Sequence, residues 1–398
     1  MSHPTLDNPP EAAAVDAPPP PPWLRFDRHE LAGSFGDIGT DLPLLIGMIL
    51  AAGLDPAGVF IMFGLLQIFS GLAYGLPMPM QPLKAMAVIV ITQGVTGDVL
   101  FGAGLAIGVM MLLLTLSGAL QALARLIPPC VVRGLQFGLG LALASLAVRD
   151  YIPHLGYEGY ALAAAGFTLM IIFQGSRRWP AGLLVIGLGV IYALVFRFDG
   201  ATVVGGMAWS LPRFEVPGME AILTGLIVLS LPQLPLSLSN SVIATRQTIA
   251  DLFPHRRVGV RKIGLTYSLV NLTVPFFGGI PLCHGCGGLA GHYALGARTG
   301  GSVLIYGSLF VIVGLLFSPV STEALAVFPK PILGVVLLFE ALILMRFVQD
   351  QAGSRKHFML ALLVGVLAFT LPQGFLVGLI VGTGLYYLSE HRDGLGDF

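Results

Sequence analysis

Apolar runs of about 20 residues recur along nearly the whole chain, separated by short polar stretches. That recurrence decides the fold class before any single residue is considered, because a helix of ~20 residues matches the hydrocarbon core of a bilayer. Only helices and closed barrels satisfy every backbone group in lipid, and the ten-residue alternating strands of a barrel are not seen. Composition agrees: 11% of the 398 residues are charged and 55% hydrophobic, where a soluble domain carries about 25% charged residues. The expected class is an all-α polytopic membrane protein. Zero formal net charge gives no reason to expect nucleic acid as a partner. Three cysteines, Cys130, Cys283 and Cys286, are too few for a disulfide framework.

The segments read at about 31–52, 56–75, 77–96, 99–123, 131–148, 159–174 and 180–197, then 219–245, 262–279, 281–297, 301–319, 327–346, 357–371 and 373–389. This is fourteen, arranged as seven plus seven: a first repeat over 24–200 and a second over 215–390. Residues 1–22 hold eight prolines and read as a disordered or polyproline cytoplasmic tail, without the basic start of a signal peptide. With the N-terminus inside, sixteen of the 21 Lys and Arg residues fall on the cytoplasmic side, including Arg125, Arg133, Arg256, Arg257 and Arg261. Four fall outside (Arg149, Arg197, Arg213 and Lys330), and Lys84 alone lies within a segment. The asymmetry is that of the positive-inside rule and places both termini in the cytoplasm, with the inner membrane as the site if the source is bacterial.

The halves also match internally. Gly75-Leu76-Pro77 opens the third segment and Gly279-Ile280-Pro281 the tenth, 204 residues later; Leu42-Pro43-Leu44 has its counterpart in Leu234-Pro235-Leu236. An odd number of crossings per repeat inverts the second copy, as in many secondary transporters.

In that architecture the substrate site lies near the midplane, where interrupted segments meet. Pro77, Pro79 and Pro82 break the third segment, so the chain should cross half the bilayer extended and begin a helix at Pro82, with Lys84 one turn in. Pro281-Leu282-Cys283-His284-Gly285-Cys286-Gly287-Gly288 repeats the device in the tenth. Two half-helix N-termini, each with unpaired N–H groups and about half a positive charge, form an anion site, and Lys84 adds a full charge. Alternatively Lys84 snorkels or pairs with an acid such as Asp37 or Asp41. The walls are expected from Ser34, Asp37 and Thr40 in the first segment and Gln233, Ser237, Ser239 and Asn240 in the eighth. Met80, Gln81, Cys283, His284, Gly285, Cys286 and Gly287 complete the substrate-binding set. Asp37, Asp41 and Glu340 are acids within segments and candidates for coupling, with a Glu340–Arg346 pair as the structural alternative. Neither the eighth nor the tenth segment holds the carboxylate expected of a nucleobase or cation site. Neither cofactor nor metal is expected: the Cys283/Cys286 spacing lacks a second Cys/His cluster, and no P-loop is present.

At Glu30-Leu31-Ala32-Gly33-Ser34-Phe35-Gly36-Asp37-Ile38-Gly39-Thr40, Met78-Pro79-Met80-Gln81-Pro82-Leu83-Lys84-Ala85, and Cys283 through Tyr293 to Gly301, the sequence resembles the molybdate transporter family, related to the sulfate permease (SulP) superfamily. The likeness covers about residues 24–390 and departs from the family pattern at Asp41 and Cys286. It implies a core of segments one to four and eight to eleven, a gate of segments five to seven and twelve to fourteen, an elevator-like alternating access, and a homodimer through the gate. The substrate it implies is a tetrahedral oxyanion, molybdate first. Sulfate, bicarbonate or a nucleobase on the same fold, a passive channel, and a membrane thiol or metal enzyme built on Cys283 and Cys286 remain the alternatives.

Overall fold

The computed structural model describes residues 22–173, 176, 180–197 and 208–391. The proline-rich tail, except Pro22, and Arg177, Arg178 and Arg392 lie outside the described residues. Each apolar segment of the sequence contains helix. Five helical stretches are long and apolar enough to cross a membrane by length and composition: Pro56–Tyr74, Gly97–Leu116, Pro129–Phe173, Met219–Leu252 and Lys330–Gln351. Shorter apolar helices, among them Ile38–Ala52, Lys84–Gln93, Ala181–Phe196 and Gly374–Glu390, accompany them.

The first segment is not one helix, as expected, but two: α1 (Arg28–Gly33) and α2 (Ile38–Ala52). The break falls at a crossing. A side chain on Gly33 would run into Ala297, and one on Gly36 into the backbone of Gly291 and His292, so the chain passes the tenth segment with glycine on the contact. Helix α3 (Pro56–Tyr74) begins with Asp55 accepting from the Ala57 N–H at 3.0 Å and with Pro56 at its first position, and ends at Gly75 with φ 60°. It packs along α15 (Gly301–Val327). Gly64 and Gly71 of α3 face Gly307 and Gly300, each pair spaced by seven residues, and a Cβ at Gly64 or Gly307 would collide with the carbonyl oxygen of the other.

Helix α5 (Gly97–Leu116) packs against α6 (Ala119–Leu126), α10 (Met219–Gly225) and α13 (Val260–Thr273). Helix α7 (Pro129–Leu146) packs against α16 (Lys330–Arg346) and α17 (Arg355–Thr370), and α8 (Gly156–Phe173) also rests on α16. The eighth segment is irregular: α-helical turns at Leu231–Leu236 (α11) and Thr245–Leu252 (α12) alternate with π-helical ones at Leu226–Ser230 and Ser237–Ala244. Pro232 and Pro235, which remove backbone donors, lie in this stretch.

The third and tenth segments each contain a short strand, β1 (Met80–Pro82) and β2 (Leu282–His284), before their helices α4 (Lys84–Gln93) and α14 (Cys286–Ala294). The strands pair antiparallel, Met80 opposite His284, Gln81 opposite Cys283 and Pro82 opposite Leu282. The remaining strand edges are closed by side-chain amides from neighbouring helices. Gln67 of α3 donates to Met80 O (2.7 Å) and accepts from Met80 N–H (2.9 Å). Asn271 of α13 does the same for Leu282, at 2.7 and 3.0 Å. Gln67 and Asn271 are 204 residues apart, the same offset as Gly75 and Gly279.

The glycine contact between α3 and α15 leaves no space for a branched side chain. Gly307→Val should therefore lower stability by about 1–3 kcal/mol through overpacking. Gly187→Val, at a position with nothing within 4 Å of its added Cβ, should leave stability nearly unchanged in a detergent melting experiment.

Candidate anion site

The site forms where the two broken segments meet. Residues directly opposite in an antiparallel pair project to one face, so Gln81 and Cys283 share a face. That face borders a small cavity whose walls include Gln81, Lys84, Gln136, Gln233, Asn240 and Cys283.

Helix α4 begins at Lys84, not at Pro82, so Lys84 is its first residue rather than one turn in. The pairing expectations are corrected as well: the Lys84 ammonium is ion-paired with Glu340 of α16, not with Asp37 or Asp41, and Glu340 is engaged there rather than with Arg346. Thr40 Oγ1 donates to the other Glu340 oxygen at 3.3 Å. Both charged side chains are mostly buried, 16% and 13% exposed. Removing one partner of such a pair leaves an uncompensated charge and costs about 3–5 kcal/mol.

The first-turn amides of α4 are not left open as expected. Gln233 Oε1 accepts from Ala85 N–H at 2.9 Å and Met86 N–H at 3.3 Å, capping the helix from the eighth segment. Gln233 Nε2 in turn donates to Ser237 Oγ (3.2 Å), which shares a 2.8 Å hydrogen bond with the Tyr267 hydroxyl. Helix α14 has glycine, Gly285, at its N-cap, which supplies no side-chain acceptor to the first turn. A Cβ on Gly285 would strike the Gln81 side chain and one on Gly288 the Asp37 carboxylate, whereas at Gly287 it would meet nothing within 4 Å. Glycine is needed at the first two positions for this close approach. Asp37 also accepts from Gln81 Nε2 at 2.5 Å, which orients the amide beside the cavity.

Gln136 was not among the residues expected from the sequence. It projects from α7, donates to Asn240 Oδ1 at 3.1 Å and accepts from Arg133 Nη1 at 2.9 Å. A lone glutamine in an apolar helix was the available signal. Cys286 Sγ lies 3.6 Å from Asn240 Oδ1.

Other expected residues are placed elsewhere. Although His284 borders the cavity, its Nε2 is hydrogen-bonded with Thr266 Oγ1 at 2.7 Å and lies 3.4 Å from the Tyr74 hydroxyl, and its ring stands edge-on to Tyr74. The main chain of Met80 is held by Gln67, and Ser34 donates to Leu31 O at 2.7 Å within the first segment. Asp41 is fully buried and accepts from the Tyr306 hydroxyl at 3.1 Å. Ser239 donates to Pro235 O within its own segment. Cys283 and Cys286 are free thiols, and among the described residues no group of three or more His, Cys, Asp or Glu is placed to hold a metal.

What the geometry defines is a lysine, ion-paired with Glu340 and bordered by neutral amides, where two helices start at a buried two-stranded ribbon. This arrangement suits an anion. A family model described as molybdate transporter of the MFS superfamily matches residues 29–143 and 225–344. Molybdate transporter 1 of Arabidopsis thaliana is 30% identical, over 93% of this chain and 90% of its own length. Molybdate transporter 1 of Chlamydomonas reinhardtii is 29% identical, over 90% of this chain and 91% of that one. The fold is shared with the transmembrane domain of a cyanobacterial bicarbonate transporter, BicA, with TM-score 0.62 and 16% identity over 90% of this chain and 98% of that one. Murine solute carrier 26 family member A9, an anion transporter in the inward-facing state, gives TM-score 0.67 and 13% identity over 94% of this chain and 70% of that one. At these identities the two structures establish fold alone.

The protein is thus an integral membrane transporter of the anion-transporter fold, and not an enzyme. It belongs to the molybdate transporter family.

The Gln233 cap yields a stability prediction. Gln233→Leu strands two buried N–H groups and should cost about 1–3 kcal/mol, whereas Gln233→Glu, which still accepts, should lose less; thermal unfolding of the purified protein in detergent distinguishes them.

Proposed function

We propose that this chain is a secondary active transporter that binds molybdate between the start of α4 and the start of α14. The observation that carries this reading is Lys84, a cation inside the membrane region, walled by Gln81, Gln136, Gln233 and Asn240. A tetrahedral oxyanion needs several donors converging from different directions and at least partial charge neutralisation; side-chain amides supply the first and Lys84 with the two helix termini the second. Gly285, at the start of α14, also borders the cavity and brings that helix's N-terminus to it. The curated relatives at about 30% identity bear the name molybdate transporter, which puts molybdate ahead of sulfate. A more distant relative, at 23% identity, is a putative sulfate transporter of Bacillus subtilis, so sulfate is the competitor that matters.

The chain crosses the bilayer fourteen times, with both termini cytoplasmic, as two inverted repeats. The packing supports this reading. Exchanging the halves carries the α3–α15 contact onto the α13–α5 contact, carries the α7–α17 contact onto the α16–α8 contact, and maps β1 paired with β2 onto itself. Antiparallel self-pairing across the halves suits inverted repeats better than the parallel-related halves of MFS transporters. Helices α1–α5 and α10–α15 form the anion-carrying core. Helices α7, α8 and α9 (Ala181–Phe196) with α16, α17 and α18 (Gly374–Glu390) form the gate, against which the core moves by an elevator-like step, with two copies meeting through the gate.

Equilibrium binding of molybdate to the purified protein, with sulfate and uracil as competitors, tests this. Wild type should bind molybdate saturably, with sulfate competing weakly and uracil not at all. Lys84→Ala should weaken binding by about tenfold or more, since a charge-assisted contact contributes roughly 1.5–3 kcal/mol. Saturable binding of sulfate or uracil without molybdate would keep the fold and discard the substrate.

A further inference from the structure

Two spaces flank the Lys84–Glu340 ion pair. On one side is the amide-lined cavity, bordered by Lys84, with a volume of about 20 Å3. On the other is a crevice of about 410 Å3 between the core and gate elements, bordered by Glu340 and Thr40 together with Gly39, Gly182, Val336 and Phe339. The pair therefore stands between them, joining α4 to α16. A cavity of 20 Å3 has room for about one water, far less than an oxyanion with four oxygens around a central atom. Lys84 already has a carboxylate as its partner. An oxyanion reaching Lys84 by way of the crevice meets that carboxylate first, and the two negative charges cannot share the ammonium without strong mutual repulsion.

We propose that Glu340 is an internal occupant of the anion site: its carboxylate holds Lys84 from the gate side, and an incoming oxyanion must displace it. Glu340 then sets the affinity and couples occupancy to the core–gate contact, because the displaced carboxylate no longer ties α16 to α4. Thr40 keeps a second hydrogen bond on Glu340 and gives the released side chain a partner on α2. Gly39 of α2 and Gly182 of α9 approach closely beside the Val336 side chain, so α2 meets the gate near Thr40 through small residues. The inference rests on the oxyanion reading above and adds to it a residue from the gate.

The test measures molybdate and sulfate binding to the full-length protein in wild type, Glu340→Gln and Glu340→Asp. Glu340→Gln keeps the shape and the Thr40 contact but removes the competing charge, so it should bind the oxyanion about tenfold tighter or better. Glu340→Asp keeps the charge and should stay within about threefold of wild type. Glu340→Ala, if Glu340→Gln gives no folded protein, should also bind more tightly. Unchanged or weaker binding in the charge-removing variants, with wild type binding normally, would make the pair a structural tie and overturn the inference alone. Loss of oxyanion binding in every variant including wild type would remove the oxyanion reading and this inference together.

Discussion

The antiparallel pairing of Met80–Pro82 with Leu282–His284 is the contact on which the rest depends. Non-helical backbone within a membrane survives only where protein satisfies its polar groups. Here each strand satisfies part of the other, and Gln67 and Asn271 complete the task with bidentate amide clamps. With the ribbon closed in this way, two helices can begin in the middle of the protein, leaving from its opposite ends. Their N-termini, the glycines that let Gln81 and Asp37 come close, and Lys84 all follow from that one arrangement.

The site is an assembly of neutral amides beside one ion pair. Four amide side chains come from three different stretches: Gln81 from the ribbon, Gln136 from α7, and Gln233 and Asn240 from the irregular eighth segment. Amides donate and accept without adding charge, so they solvate an anion and still hold one another when none is bound. Gln233 illustrates this, capping α4 through its oxygen while its nitrogen reaches Ser237. The single cation is balanced by Glu340, the group that crosses from the gate side.

Much of this was legible in the sequence, and the exceptions have physical reasons. Prolines at 77, 79 and 82 and the glycines around His284 forced an interruption in two matching segments, because neither stretch can continue a helix. The strand pairing itself could not be read, since three-residue strands carry no periodicity. The break between α1 and α2 hides in Gly33, Gly36 and Gly39, which read equally well as close helix packing. Gln67, Asn271 and Gln136 look like any polar residue in an apolar run until their partners are known. The Lys84–Glu340 pair joins residues 256 positions apart, and no local pattern points from one to the other.

The central claim is the location of the anion. Diffraction from crystals soaked in molybdate, recorded at the molybdenum absorption edge, locates the metal atom without reference to any assumed site. The account predicts one strong anomalous peak beside the ribbon, within reach of the Lys84 ammonium and the first turn of α14, with Glu340 moved off Lys84. A peak elsewhere in the protein, or none at saturating molybdate, would contradict it.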